Sequence, residues 1–523
     1  MFIDFLSGRE LTMQVLNGKF KNFLGSYKTL MFISLLSLLP AMLWQGEISA
    51  GAYFAALAVL AFQYVLSVHG RIHTLCLPLE RLTDGGDHLY GTFNKRWYRP
   101  TARKLARTSA LCPLITAISG SLGIIYLVVL VAFYLPRGLY LFNLMRNTEK
   151  IRERQWQYLL DEKPQVAVHM AGTQNVAYQI NQWLPVLEKM PFQIVIVLRE
   201  KHIHRSMLPT SLPVFFAKTL RELEHFETAG IKTVLYPANP QKNAQFLRLH
   251  TMSHFFINHG ESDKAVNQSK MLLAYDKLLV GGPMAERRLR GSGLRLHDGQ
   301  VVHVGRPQTE LRLDKISPHA TQTNITVLYA PTWEGFTEDS NYSSVSDFGI
   351  ALLESLVGSS NIRVIFKPHP WTGSVNGATA RAYQQMQAIC AKHDFQHAGS
   401  DHDLYDLMNQ SDILISDVSS VMNEYLYTEK PIIMTNTRHL DEKMLHEQFP
   451  SSCAAYILST GEAGLSLLQR IDSHDSMVDR RRQVCNDSLG DFPGGSLERF
   501  SEVIMQSLSR TTQPPSTNGE VGA

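Results

Sequence analysis

From about Gln165 onward, short runs rich in β-branched residues alternate with longer stretches of helical periodicity. Such alternation is typical of βα units on a parallel sheet, whose buried strands are short and continuously apolar. It predicts two series of strands. The first covers 166–171, 193–198, 233–236, 255–258, 277–280 and 301–304, and the second covers 325–330, 363–367, 412–416, 431–434 and 454–457.

A polar stretch at 306–324, which contains Pro307 and Pro318, separates the two series and is predicted to be a linker. The pattern therefore predicts an α/β chain with a GT-B-like pair of doubly wound Rossmann-type domains, at 156–315 and 316–508. Ligands of such sheets lie beyond the carboxyl ends of the strands. The Pro- and Ser-containing segment 509–523 is predicted to be a disordered tail.

The first third of the chain is apolar. Three runs, at 29–45, 50–68 and 111–135, approach membrane-spanning length and contain no charged residue. They predict a membrane-associated helical region over 1–155, and the alternative is a set of buried core helices. Flanking Lys and Arg residues favour a hairpin of the first two runs with cytoplasmic ends, whereas the third run has positive charge on both sides and its topology stays open.

The formal net charge of +3 conceals an asymmetry, because residues 1–155 hold 17 Lys and Arg against 8 Asp and Glu. This basic excess is interleaved with the apolar runs, which favours a membrane surface and argues against a nucleic acid as the partner. The five cysteines form no CxxC pair, so a disulfide-stapled secreted scaffold is excluded.

Two of the predicted strand ends carry candidate proton-transfer and cleft residues. One is His259-Gly260, followed shortly by Lys264. A histidine there can take a proton near neutral pH, and a glycine lets a substrate approach the backbone closely. The other is the YAPTW run at 329–333, whose Thr332 hydroxyl would border the cleft. The alternatives are a hydrogen-bonded loop histidine and a packing corner.

Two further strand ends carry candidate phosphate ligands. A KPHP run sets Lys367 and His369 on a loop that its prolines hold extended, where Lys can neutralise a phosphate and His can assist a leaving oxygen. A DVSS run with Asp417, Ser419 and Ser420 precedes a helix, so hydroxyl and backbone N–H groups can face an anion. A solvated Lys–His pair and an ordinary helix cap are the alternatives.

Other catalytic signatures are missing from the sequence: it has no P-loop, Gly-rich dinucleotide fingerprint, HExxH or GxSxG motif. Asp401-His402-Asp403 suggests a metal site only weakly, because a solvated helix start explains it better. The sequence assigns no metal ligands and no certain cofactor, and leaves a divalent cation open.

Taken in order, the four motifs resemble the CDP-glycerol glycerophosphotransferase family of teichoic-acid primases and polymerases. That family has a His-Gly-x-x-x-Lys strand end, a YAPTW-like strand end, a Lys-x-His-Pro loop and an Asp-Tyr-Ser-Ser turn ahead of a helix and a Lys-Pro-Ile strand. The corresponding segments here are 259–264, 329–333, 367–370, 417–420 and 430–432, within a match over about 166–504.

The chain departs from the family pattern at several points. Val418 replaces the aromatic residue of the serine turn, and an Asn-Glu pair at 423–424 replaces Phe-Asp. The run ESD at 261–263 stands where Thr-Pro-Leu is common, and the arginine of a Gly-x-Pro-Arg turn is displaced to Arg306. We expect the last three departures to face the acceptor or the cleft, which leaves the acceptor's identity open.

The resemblance implies transfer of glycerol phosphate, or a related polyol phosphate, from a CDP-linked donor to an acceptor hydroxyl. His259 and His369 would be catalytic, the first as the base for the acceptor and the second assisting the departing CMP. Gly260 and Lys264 would lie on the acceptor side, in the N-terminal domain. The donor's nucleotide and phosphates would be bound by Lys367, Asp417, Ser419, Ser420 and Thr332 of the C-terminal domain.

The implied partners are CDP-glycerol or a similar nucleotide donor, a lipid-linked polymer acceptor, and the cytoplasmic membrane with the catalytic domain on its cytoplasmic face. Two alternatives stay open. One is a GT-B glycosyltransferase or nucleotide-sugar enzyme of surface polysaccharide synthesis, and the other is a catalytically silent membrane-bound scaffold that binds a polymer.

Overall fold

The computed structural model describes residues 73, 76–77, 79–82, 120–173, 175–264, 269–315, 324–399 and 402–510. The chain divides into two compact units, Met1–Leu159 and Leu160–Ala523. The predicted apolar runs 29–45 and 50–68, the start of the run 111–135 and the tail from 511 lie outside the described residues.

The described part of the first unit holds a short strand and two helices, which are β1 (Leu79–Arg81), α1 (Gly120–Arg146) and α2 (Thr148–Asp161), the last continuing just past the unit boundary. Among the described residues, one helical segment, Val128–Arg146, is long and apolar enough to cross a membrane, with a mean hydropathy of 1.6. Several of its large side chains are exposed, including Leu139 and Phe142.

The second unit contains two parallel sheets. Strands of the first are β2 (Val166–Met170), β3 (Ile194–Leu198), β4 (Val214–Ala217), β5 (Thr233–Tyr236), β6 (Ser253–Phe256), β7 (Lys277–Val280) and β8 (Val301–His303). Within this unit they lie in the order β4-β3-β2-β5-β6-β7-β8, and every neighbouring pair is parallel. Every residue of β2 and β3 is buried, as strands covered on both faces require.

Strands of the second sheet are β9 (Ile325–Ala330), β10 (Ile362–Phe366), β11 (Gln396–His397), β12 (Ile413–Ser416), β13 (Ile432–Thr435) and β14 (Tyr456–Leu458). Their order is β11-β10-β9-β12-β13-β14, again all parallel. Alternate residues of β9 enter two different apolar clusters, because Leu328 packs on one face of the sheet and Val327 on the other.

Helices connect and cover the strands. They are α3 (Ala177–Asn181), α4 (Leu184–Leu187), α5 (Lys201–Arg205), α6 (Leu220–Thr228), α7 (Ala244–Leu247), α8 (Pro283–Gly291), α9 (Pro307–Arg312), α10 (Asp347–Leu356), α11 (Gly377–Lys392), α12 (Leu404–Gln410), α13 (Ser420–Tyr425), α14 (Glu442–Gln448), α15 (Gly464–Ser473), α16 (Val478–Leu489) and α17 (Gly495–Arg510). Short 3₁₀ turns occupy Gln241–Asn243, Lys270–Ala274, Glu338–Ser340, Leu426–Thr428, Pro450–Ala454 and Gly461–Ala463.

The predicted mixed α/β fold with parallel sheets is therefore observed, and each predicted strand is present within two residues of its expected bounds. The strands β1, β4 and β11 and the helix α9 were not predicted, and two of these elements have a reason in the local sequence. The first is β4, whose sequence VFFA lacks the β-branched enrichment of its neighbours. The second is α9, which forms inside the predicted linker because Pro307 at its first position is preset for a helix start.

The C-terminal helix α17 leaves the second sheet and packs on the first. The ring of its Phe500 lies 5.0 Å from that of Trp183, and its Ser507 hydroxyl lies 3.0 Å from the Thr233 hydroxyl of β5. This crossing ties the two sheets together.

Candidate active site

His259 lies two residues beyond Ile257, on the loop that leaves the carboxyl end of β6. Its Nδ1 lies 3.1 Å from the backbone carbonyl of Pro237. A carbonyl oxygen can only accept, so Nδ1 carries the proton and Nε2 is left with its lone pair. Burial lowers the pKa of His259 to about 4, opposed by the Pro237 hydrogen bond and reinforced by the charge of Arg306. The imidazole is therefore neutral at pH 7, with Nε2 as a base.

His369 lies on the loop after β10 and holds the opposite tautomer. The backbone N–H of Trp371 donates to its Nδ1 at 3.1 Å. Nδ1 is thus the acceptor, and the proton of the neutral ring is on Nε2. Burial lowers the pKa of His369 to about 3, and the charges of Lys264 and Lys367 push in the same direction. This histidine can donate a hydrogen bond without being charged.

Tyr178, in the first turn of α3, lies between the two histidines. The centre of its ring is 5.6 Å from that of His259 and 5.9 Å from that of His369, with edge-on geometry in both cases. The Tyr178 ring therefore contacts the loop after β6 of the first sheet and the loop after β10 of the second. The sequence analysis did not find it, and the only signal was its place just beyond the carboxyl end of β2.

Lys264 and Thr332 bring a second pair of predicted residues together across the cleft. The Lys264 ammonium donates to the Thr332 hydroxyl at 2.6 Å. Burial lowers the pKa of Lys264 to about 8, while the Asp417 carboxylate opposes that shift. The ammonium is thus mostly protonated at pH 7 but close to losing its proton.

Asp417, fully buried after β12, fixes the neighbouring strand ends. Its carboxylate accepts hydrogen bonds from the backbone N–H groups of Thr332 at 2.8 Å and Ser344 at 3.1 Å, and from the Thr435 hydroxyl at 2.5 Å. Burial raises the pKa of Asp417, although each of these donors favours the ionised form. Because these donors engage both oxygens, the carboxylate holds the loops in place.

The two serines of the DVSS run lie where α13 begins, against the His259 loop. Ser419 is the residue before the helix but makes no side-chain cap; its hydroxyl lies 3.0 Å from that of Ser416. Ser420 faces Gly260 so closely that a Cβ on the glycine would lie 2.7 Å from the Ser420 hydroxyl oxygen. Glycine is required at 260 by this approach between the two sheets.

Lys367 leads from β10 to His369. Its ammonium donates to the Gly399 carbonyl on the loop after β11, and its backbone N–H bonds to Tyr329. The cation is thereby held at the carboxyl end of the second sheet, next to β9, the strand that Thr332 follows.

The loop with His369 is anchored by two residues at the end of the YAPTW run. The buried Glu334 carboxylate accepts from the backbone N–H groups of Gly373 and Val375, each at 3.0 Å. The Trp333 ring stacks on the His369 imidazole at 6.0 Å and 22° and also contacts Trp371. Trp333 belongs to the predicted run, whereas the sequence analysis missed Glu334, and its position directly after that run was the available signal.

Arg306 and Glu424, both 3% exposed at their side chains, form an ion pair of 2.9 Å behind His259. The same guanidinium nitrogen, Nη2, donates to the His259 carbonyl at 2.7 Å. The other carboxylate oxygen of Glu424 accepts from the Tyr405 hydroxyl at 3.0 Å. Glu424 raises the pKa of Arg306 despite its burial, whereas burial raises the pKa of Glu424 against the pull of Arg306.

The run at 261–263 also joins the two sheets. Asp263 accepts from the backbone N–H of Ser451 at 2.9 Å and pairs with Arg288, and the Asn423 amide donates to the Glu261 carbonyl at 3.3 Å. The departures at 261–263, 306 and 423–424 thus meet in one buried network between the sheets; the sequence analysis expected them to face the acceptor or the cleft.

Two negative observations complete the geometry. Among the described residues, no group of three or more His, Cys, Asp or Glu side chains is arranged to hold a metal ion. A cavity of about 720 Å³, lined by His303, Phe492 and Glu498 among others, contains none of the predicted site residues. The candidate site is therefore described by the four loops that carry the predicted residues and not by this cavity.

Residues 251–506 match the family described as CDP-Glycerol:Poly(glycerophosphate) glycerophosphotransferase. The matched range contains every predicted site residue, and it confirms the resemblance and the prediction of an enzyme. No curated protein matches the chain.

Among solved structures, the wall teichoic acid polymerase TagF is 13% identical, with a TM-score of 0.47, covering 71% of this chain and 97% of that one. MnaA from S. aureus, in a structure with UDP, is 14% identical with a TM-score of 0.45, covering 68% and 100%. A glycosyltransferase from Rickettsia africae is 10% identical with a TM-score of 0.39, covering 66% and 98%. These likenesses are too distant to carry an argument about function.

Proposed function

Through residues 251–506 the chain belongs to the CDP-glycerol:poly(glycerophosphate) glycerophosphotransferase family, and on that premise we propose that it transfers glycerol phosphate from CDP-glycerol to an acceptor hydroxyl in teichoic acid-type synthesis. The observation that carries this proposal is the complementary pair of neutral histidines, spaced by Tyr178. His259 offers a lone pair at Nε2, and His369 offers a proton at Nε2.

The reaction needs both properties. The acceptor oxygen attacks the phosphorus that bears glycerol, a new O–P bond forms, and the P–O bond to CMP breaks. His259 Nε2 takes the proton of the acceptor hydroxyl, a step that contributes about 10²–10⁴-fold in enzymes generally. His369 donates a hydrogen bond to the oxygen that develops charge as CMP departs.

The second sheet supplies the donor site. Lys367, beside His369, offsets negative charge on the diphosphate, and Ser419 and Ser420 provide hydroxyl donors where α13 begins. Phosphoryl transfer depends mainly on positioning and charge stabilisation, which suits a cleft whose loops are held by Asp417. Thr332, bonded to Lys264, places a further hydroxyl and an ammonium at the junction with the acceptor side.

We propose further that the two sheets form a GT-B-type pair, and that a lipid-linked polymer is the acceptor. The exposed apolar side chains of α1 support a membrane association, because Ile125, Val128, Leu139 and Phe142 are each about 60% exposed. In this proposal the catalytic unit lies on the cytoplasmic face of the membrane, where a nucleotide donor is available, and confinement raises the acceptor concentration. The full chain should float with lipid vesicles; recovery of the protein from the vesicle-free fraction would contradict the membrane part.

Donor competition tests the proposal against its alternative. The purified full chain is supplied with labelled CDP-glycerol, an acceptor-containing membrane fraction, and either unlabelled CDP-glycerol or UDP-sugars. CMP release that only CDP-glycerol suppresses supports the proposal. Turnover of a UDP-sugar with no CMP release would favour a glycosyltransferase or nucleotide-sugar enzyme, and nucleotide binding without any turnover would favour a silent scaffold.

A further inference from the structure

The buried network between the sheets contains more than structural contacts. Arg306 contacts the base loop directly, because its Nη2 donates to the backbone carbonyl of His259 itself. The same nitrogen pairs with Glu424 on α13, the helix that Ser420 begins. One guanidinium therefore connects the base to the element that carries the phosphate-site hydroxyls.

This connection is short and rigid. Arg306 and Glu424 are each 3% exposed at the side chain, so water does not screen the pair. Glu424 has its second oxygen fixed by the Tyr405 hydroxyl at 3.0 Å. Its first oxygen lies near the position that a Cβ on Gly260 would take, at 3.7 Å. The loop at 259–260 and the start of α13 thus lie in direct contact along the same edge.

We infer that Arg306 and Glu424 are positioning residues that set the separation between His259 and the phosphate site of the second sheet. This inference rests on the proposed function, since it assigns the pair to that reaction. It also explains why two departures from the family pattern occur together: the displaced arginine and the longer carboxylate are the two halves of a single ion pair.

Arg306 has a second effect on His259, through its charge. The guanidinium lowers the pKa of His259, which burial already lowers. The other groups that face the two imidazoles are different ones: Tyr178 contacts both rings, and the charges of Lys264 and Lys367 act on His369, whereas Arg306 is the charged group that lowers the pKa of His259. Two variants separate the effect of the Arg306 charge on the His259 pKa from its contacts with the His259 carbonyl and Glu424. Arg306→Gln removes both, whereas Arg306→Lys keeps the positive charge and loses the planar guanidinium that makes the two contacts.

Arg312 and Asp403 offer a control. They also join an element of the first half to one of the second, with N–O distances of 2.7 and 3.1 Å, and neither residue bonds His259 or α13. The pair is more exposed than Arg306 and Glu424, and Arg312 packs over the ring of Tyr405 at 4.9 Å. If tethering of the two halves were all that mattered, Arg312→Gln would have the same effect as Arg306→Gln.

The experiment measures CMP release and, separately, titrates ¹³C-labelled histidines by NMR, with the His259 signal assigned by its loss in His259→Gln. We expect kcat to fall about 10²-fold in Arg306→Gln, Arg306→Lys and Glu424→Asp, the size of effect that a misplaced catalytic group produces, with the KM for CDP-glycerol little changed. The His259 pKa should rise in Arg306→Gln, stay low in Arg306→Lys, and stay at its wild-type value in Arg312→Gln.

Two results would overturn the inference: full kcat in Glu424→Asp and Arg306→Lys, or an equal loss in Arg312→Gln. The NMR titration tests the contact between Arg306 and His259 without any turnover. An unchanged His259 pKa in folded Arg306→Gln would show that Arg306 does not act on His259. Failure of the wild type to release CMP would instead contradict the proposed function, so the two failures are distinguishable.

Discussion

The Lys264 ammonium lies 2.6 Å from the Thr332 hydroxyl, and this hydrogen bond joins the loop after β6 of the first sheet to a strand end of the second. Thr332 is itself held by Asp417 through its backbone N–H. The cleft therefore contains a fixed cation whose pKa burial has lowered to about 8.

Activity should consequently fall as the pH rises through about 8, because the Lys264 ammonium loses its proton there. Arg keeps its charge at every accessible pH. We expect Lys264→Arg to abolish the alkaline decline and Lys264→Met to lower the rate throughout. The measurement is kcat/KM for CDP-glycerol from pH 6 to 10, and an unaltered alkaline decline in Lys264→Arg would exclude this role.

Gly260→Ala should abolish most of the activity while leaving the chain folded. The new methyl group would lie 2.7 Å from the Ser420 hydroxyl oxygen and 2.8 Å from its Cβ, so the His259 loop must move away from α13. A displacement of that size in a catalytic group lowers kcat by about 10²-fold.

Two variants control for this effect. Gly291→Ala adds a methyl group in open space at the end of α8 and should leave kcat unchanged. Gly260→Ala combined with Ser420→Gly removes both contacting atoms, and it is compared with Ser420→Gly alone because Ser420 is itself assigned to the phosphate site. The methyl group at 260 should lower kcat much less in the Ser420→Gly background than in the wild type, and an equal loss in both backgrounds would exclude the close approach as the cause.

Tyr178 should act through its ring and not through its hydroxyl. The hydroxyl has a long contact of 3.4 Å with Gln179, whereas the ring edge meets both imidazoles. We expect Tyr178→Phe to retain kcat within about twofold and Tyr178→Ala to lose about tenfold or more, since the aromatic contacts are worth about 0.5–1.5 kcal/mol each. Equal losses in the two variants would assign the effect to the hydroxyl instead.

Stability should decline as the pH falls from 6.5 towards 4. His169 and His369, with pKa values lowered to about 3, and His259, at about 4, stay neutral in the fold, whereas the unfolded chain protonates them near 6.5. The unfolded state then binds more protons, so protonation favours unfolding by up to about 1.4 kcal/mol per pKa unit for a fully buried group.

His169 is the cleanest test of that prediction, because it is 1% exposed and its side chain contacts Asn243, Tyr236 and Phe246, none of which is a predicted site residue. The free energy of urea unfolding is measured at several pH values between 4 and 7.5. His169→Gln should show a shallower decline towards acid than wild type, and exposed His250→Gln should show the same decline. A parallel decline in His169→Gln would contradict the assignment.

Local sequence patterns were sufficient to predict most of the strands and the four motif-bearing loops that follow them. Continuous apolar runs such as IVIVL at β3 can only be strands buried on both faces, and the residues at their carboxyl ends necessarily meet at one edge. The structure accordingly brings Lys264 beside Thr332 and His259 within reach of the ring that also contacts His369.

What the sequence could not predict depends on contacts between distant segments. Tyr178 belongs to a helix of no particular composition, and Arg306 looks like a linker residue until Glu424, 118 residues later, is placed against it. Pairing across the sheets also gives residues 261–263 partners that their sequence does not indicate, because Asp263 accepts a hydrogen bond from the backbone N–H of Ser451, 188 residues later. Such relationships follow from tertiary packing, which local patterns do not encode.

The most direct test of the proposed histidine pair is single-turnover CMP release from labelled CDP-glycerol, with acceptor membranes, by wild type, His259→Gln, His369→Gln and the exposed control His250→Gln. We predict release in wild type and in the control, and a loss of about 10²–10⁴-fold in each cleft variant with donor binding retained. Release at the wild-type rate by folded His259→Gln and His369→Gln would contradict the account.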